Sequence, residues 1–148
     1  MAGFTNLAET DWLDLFLTNV DFPNVGDATG LQASSTAGVF TLALNLSDAI
    51  TDASTVLSDN ETSYTGYSRQ TIARTTGGWT VTGDTGSNDN LIQFGNMTAG
   101  GPVTITDVSM GFATGSVMQA FGQVTIDLVV NNGVNPQLAV NALDVTMD

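Results

Sequence analysis

The amino-acid sequence predicts a mainly β fold, a single-domain antiparallel β-sandwich or barrel-like fold carrying one N-terminal amphipathic helix. Two observations lead there. From Val39 onward apolar residues recur with period two in short runs, and Gly-, Asn- and Asp-rich breaks separate those runs. A third observation, helical spacing, is confined to residues 6–20.

The elements follow in order. Asn6 with Glu9 makes a capping-box variant, and Asp11 adds negative charge near the helix start. Trp12, Leu13, Phe16 and Leu17 then fall on one side, with Val20 a turn later, and Asp21-Phe22-Pro23 closes the helix. Residues 24–38, rich in Gly, Ala, Ser and Thr, read as a loop, and 39–148 as the β domain. Phe40, Leu42, Leu44 and Leu46 alternate with Val39, Thr41, Ala43 and Asn45, which marks a strand with one buried face. A polar connection over 47–61 is expected to hold a helical turn at 53–57. Strands are expected at 65–75, ended by Gly77-Gly78, and at 79–82; residues 83–90 read as a turn-rich loop, and Leu91, Ile92 and Phe94 begin another strand. Further strands are expected at 103–109, 110–113, 117–121 and 124–130. Asn131-Asn132-Gly133 is a turn signal, and Leu138, Val140, Leu143, Val145 and Met147 supply the last strands. No repeat or linker divides the 148 residues, so one domain is expected.

The residue inventory narrows the chemistry. The chain has no Cys, His or Lys, which removes thiolate and imidazole metal sites, thiol and amine nucleophiles and the usual general base near neutral pH. Two Arg stand against fifteen Asp and Glu, a formal charge of −13, so nucleic acid and anionic membrane are poor partners. No stretch approaches the length of a membrane span, and no basic region followed by an apolar run suggests a signal peptide. A structural or binding module is expected rather than an enzyme, with no cofactor and no metal. A carboxylate-dependent glycosidase or lyase is the remote alternative.

Candidate sites each have a plain alternative. Asp84-Thr85-Gly86-Ser87-Asn88-Asp89-Asn90 has oxygen ligands enough to suggest calcium, but departs from EF-hand spacing and suits a hairpin turn. Asp11 and Asp14 are helix neighbours, and read as the solvated face. Arg69 and Arg74, the only basic side chains, are each either an intermolecular contact or one half of an internal Arg–Asp bridge. Trp12 and Phe16 are expected to pack on the protein's own sheet, with docking on a partner as the alternative.

Several fragments resemble a family of small tailed-bacteriophage virion proteins. Tyr67-Ser68-Arg69-Gln70 is similar to that family's Y-x-R-Q motif, preceded by a strand like Val39-Phe40-Thr41-Leu42-Ala43-Leu44 and a polar loop like Asp59-Asn60-Glu61-Thr62-Ser63. Asn90-Leu91-Ile92-Gln93-Phe94, Ile105-Thr106-Asp107-Val108-Ser109-Met110-Gly111-Phe112, Phe121-Gly122 and the ending Leu143-Asp144-Val145-Thr146-Met147-Asp148 follow in the family's order. The resemblance covers about residues 38–148. The longer 24–38 loop and the 131–136 segment depart from the family's pattern.

Members are capsid-decorating, head-fibre or tail-associated. The resemblance implies a capsid decoration (cement) protein, made in the bacterial host cytoplasm and bound to the outer capsid surface. Its implied partners are the major capsid protein and further copies of itself, as a homotrimer. A tail or fibre protein contacting the host surface is the alternative, with Trp79 and Tyr64 placed to stack on sugar. Trp12, Phe16, Tyr67, Arg69, Gln70 and Arg74 are the candidate subunit or capsid contacts.

Overall fold

The computed structural model describes residues 3–23, 25–26, 28–46, 50–112 and 117–147. The fold is mainly β, with antiparallel sheets and one short N-terminal helix; it is sandwich-like in that its sheets are open and none closes into a barrel. The chain forms two compact units, one from Met1–Gly38, Ala73–Leu91 and Leu138–Asp148, the other from Val39–Ile72 and Ile92–Gln137. Because the segments interleave, no contiguous stretch of sequence corresponds to either unit.

In the first unit, α1 spans Asn6–Leu13. Its cap is Thr5 rather than Asn6: Thr5 is still extended, and its hydroxyl accepts from the Ala8 N–H at 3.4 Å. The helix then widens into a π-helical turn over Asp14–Thr18 and stops at Asn19, whose left-handed backbone (φ 60°) an Asn tolerates. Val20 therefore lies outside the helix and is exposed, and the stop precedes Pro23. Leu13 and Leu17 are the apolar side chains buried along this segment.

They pack on a three-stranded sheet of order β3-β4-β9, formed by β3 (Trp79–Thr82), β4 (Thr85–Asn88) and β9 (Asp144–Thr146). β3 and β4 form a hairpin across Gly83-Asp84, with Gly83 at φ 63°. Gly86 faces Leu17 so closely that a Cβ there would collide with Leu17 Cδ1. Half of the expected 83–90 loop, Thr85–Asn88, is thus strand. Asn88 shows why: it is fully buried, its Nδ2 donates to Asn90 O (2.7 Å) and Ala139 O (2.9 Å), and its Oδ1 accepts from Ala142 N and Leu143 N. A buried amide with its hydrogen bonds satisfied locks the strand against the chain's C-terminal segment.

The second unit is built on a four-stranded sheet of order β2-β1-β6-β7: β1 (Val39–Leu46), β2 (Gln70–Ala73), β6 (Val103–Phe112) and β7 (Met118–Val130). The expected bounds of β1 hold, but both its faces are covered at 42–45, so Ala43 and Asn45 are buried as well as Leu42 and Leu44. The expected 65–75 strand shrinks to β2, because Thr65 to Ser68 bond instead to Phe94, Thr98 and Ala99. Residues 103–112 form one continuous strand, as do 118–130; the expected strand end at Ala113 lies outside the described residues, as does Asp148. Residues 53–57 form turns and a bridge, not a helical turn. β5 (Ile92–Gln93) and β8 (Gln137–Leu138) pair as a short ribbon. The 131–136 segment begins with the expected turn, Gly133 at φ 88°, and then lends carbonyls to Phe94 and Met97.

Candidate functional site

The Y-x-R-Q segment enters β2 from a tight approach. Gly66 (φ 102°) passes beneath the Asn96 carbonyl, where a Cβ would not fit. Tyr67 then turns inward. Its ring lies edge-on to Tyr64 at 5.4 Å and stacks near-parallel with Phe94 at 6.4 Å. Its hydroxyl accepts from the Leu44 N–H (3.1 Å) and donates to Glu61 Oε1 (2.8 Å). Burial raises the Tyr67 phenol above its ordinary range; the Leu44 hydrogen bond opposes this and Glu61 adds to it.

Arg69 reaches the same carboxylate with a two-pronged grip, Nε to Glu61 Oε1 at 2.8 Å and Nη2 to Oε2 at 2.7 Å. The Glu61 hydrogen bond raises the Arg69 pKa, against a smaller desolvation effect. Tyr67 and Arg69 thus share one target, although neither belongs to the strand. Gln70, by contrast, bonds locally to Ser68 through its side-chain amide.

Arg74, in the first unit, is buried. Its guanidinium donates to Phe16 O (2.7 Å), to Leu15 O, to Asn19 Oδ1 (2.5 Å) and, at 3.4 Å, to Ser34 Oγ and Ala37 O. It thereby closes the helical segment's C-terminal carbonyls and ties them to the 24–38 loop. Burial lowers its pKa. Phe16 is half-buried, whereas Trp12 is 36% exposed and sits edge-on to Phe22 at 5.1 Å.

Glu61 is one end of a polar row. It bridges Asn45 on β1; Asn45 faces Asp107 on β6; Asp107 faces Gln123 on β7. Residues directly opposite on antiparallel strands project to the same side, so these four side chains cross the sheet in one line. Asn45 and Asp107 are buried in the middle sheet strands, at 0% and 1% exposure. The row lay hidden in the sequence, since its members are brought together by register alone. The only signal was an Asn and an Asp inside strands that otherwise carry no amide or charged side chain.

β7 ends the sheet and is the most exposed of its strands. Its outer edge is met at the start, where Met118 N donates to Thr55 O and Val117 bridges Val56. Further along it bulges. Leu128 pairs with Ile105 and Gln123 with Asp107, so Val124 to Asp127 stand opposite Thr106 alone. Ile126 in that bulge is 82% exposed, and Phe121, Leu128 and Val129 are exposed beside it. Over the whole strand Asp127 is the single charged residue of a chain at −13.

Other candidates separate. Asp14 is raised above the ordinary carboxylate range first by burial and least by Asp11, while a hydrogen bond from Thr18 pulls the other way. Asp84 accepts from Thr85, Asp89 from Thr80, and Asp144 from Ser87. Among the described residues no three acids gather as a metal cluster. Trp79 and Tyr64, expected at loop edges, are 1% and 4% exposed; Trp79 is a core side chain of β3, and Tyr64 is buried with its hydroxyl donating to Gly95 O. Neither presents a ring to a sugar. No family model matches the chain, and no curated protein matches it either.

Proposed function

We propose that the chain is a bacteriophage capsid decoration protein, a binding module that docks on the outer surface of the assembled shell and stabilises it. The observation that carries this reading is β7, a 13-residue edge strand with a bulge, exposed aliphatic side chains and one charge. Natural edge strands are normally blunted by charge, Pro or cover, and one left apolar suits pairing with a partner. The likeness of Tyr67 to Gln70 and the fragments around it to phage virion proteins supports the virion class.

On this reading the major capsid protein takes the apolar edge, and copies assemble as a homotrimer. The strong net charge keeps unbound copies apart in the host cytoplasm. The mechanism is linkage: a ligand that binds only the assembled lattice stabilises it by RT ln(1 + [L]/Kd). Purified protein mixed with undecorated capsids is expected to co-sediment in hundreds of copies and to raise the capsid melting temperature. Ile126→Asp is expected to abolish both while leaving the free protein folded. Absence of co-sedimentation by the unaltered protein sinks the proposal, and a few copies at the tail tip would replace it with the tail-associated reading.

A further inference from the structure

The middle of the polar row has a chemistry that capsid binding does not use. Asn45 and Asp107 stand directly opposite each other on β1 and β6, with Cβ atoms on the order of 5 Å apart. Ser109 lies two residues along β6, on the same side as Asp107. All three are at most 1% exposed. The Asp107 carboxylate accepts from the Thr106 hydroxyl at 2.6 Å. Asn45 Nδ2 donates to Asp59 O at 2.8 Å, which fixes the orientation of the amide, and Asn45 Oδ1 then has no hydrogen-bond partner among the described residues. Nor has Ser109 Oγ.

The Asp107 carboxylate and the Asn45 amide oxygen are buried acceptors on facing strand positions, and a buried charge is costly unless paired or bound to a metal. The chain has no Lys or His to supply a counter-charge; Arg69 is held by Glu61, and Arg74 by Leu15, Phe16 and Asn19. We infer that Asn45, Asp107 and Ser109 form a buried site for a hard metal cation. The donors are all oxygen, one carboxylate, one amide and one hydroxyl, which excludes the softer metals that favour nitrogen and sulfur. Calcium is the first cation to test, since it accepts neutral oxygens in irregular geometry, whereas magnesium demands a tight octahedron and sheds water reluctantly.

The test uses the full chain, stripped with EGTA and dialysed. Calcium, magnesium and sodium are titrated separately, with calorimetric binding, native mass spectrometry and thermal unfolding as readouts. One ion per chain and a higher melting temperature are expected with calcium. Asp107→Asn is expected to abolish both, and Ser109→Ala to weaken binding about tenfold through loss of one neutral ligand. Sodium or magnesium bound with the same dependence supports the site and changes only its occupant. A chain that takes up no ion, as with a buried water only, overturns the proposal, and so does binding that Ser109→Ala and Asp107→Asn leave unchanged. Should Asp107→Asn fail to fold, the wild-type and Ser109→Ala titrations still decide.

Discussion

Arg74 and Arg69 are the chain's two basic side chains and stand in different units, yet they do opposite things with the same guanidinium. Arg74 is buried and spends its donors on backbone carbonyls and amide or hydroxyl oxygens, satisfying the C-terminal end of a helical segment. Arg69 is about a third exposed and grips one carboxylate with a fork. The contrast teaches that few cations in an acidic chain do not imply salt bridges. A guanidinium with five donors is also the best available cap for several carbonyls at once.

The largest effect is expected at Arg74. Arg74→Ala leaves the Leu15 and Phe16 carbonyls without their donor and is expected to cost about 3 kcal/mol, roughly 10 °C in melting temperature. Arg74→Lys is expected to recover little of it, because a point charge cannot reach the same set of acceptors. Thermal unfolding of both variants checks this. Equal stability of Arg74→Lys and the unaltered protein would mean that charge alone matters there.

A smaller effect is expected at Arg69. Glu61→Gln keeps the shape but removes the ion pair, and partial exposure limits the loss to about 1 kcal/mol, less at high salt. Denaturant titrations at low and high ionic strength separate the two contributions. Tyr67 gives this node a pH signature. Its phenol holds its proton more tightly in the folded chain than in the unfolded one, so the stabilisation is complete below about pH 10 and is lost as pH rises above it. Tyr67→Phe is expected to flatten the alkaline limb of the stability curve. A limb of unchanged slope would place the titrating group elsewhere.

The smallest stability effect is expected at β7. Ile126→Asp alters an exposed side chain and is expected to move stability by no more than about 0.5 kcal/mol. The same substitution is the one expected to end capsid docking. It therefore separates a residue that builds the molecule from one that serves a partner.

The sequence was most legible where local pattern and final environment agree. Val39–Leu46 and Trp79–Thr82 appear with the expected bounds because period-two alternation and flanking breaks define them. It was least legible where distant partners override local chemistry. Thr85–Asn88 looks like a turn, yet Asn88 is bonded to Ala139, Ala142 and Leu143 and holds the segment extended. Trp12 and Leu13 both fall in the expected apolar stripe, but they point about 100° apart on α1, and only Leu13 is buried. Glu61 as partner of Arg69, and Asn45 opposite Asp107, follow from no local rule.

Residue inventory and local pattern together account for the net negative charge, the lack of thiol, imidazole and lysine side chains, and the mainly β class with its N-terminal helix. Those depend on residue type and short-range periodicity, which a linear chain displays openly. Tertiary structure alone decided which arginine is buried, which strand is left at an edge, and which polar groups meet across the sheet. Strand register controls those outcomes, and register is a property of pairs of segments far apart in sequence.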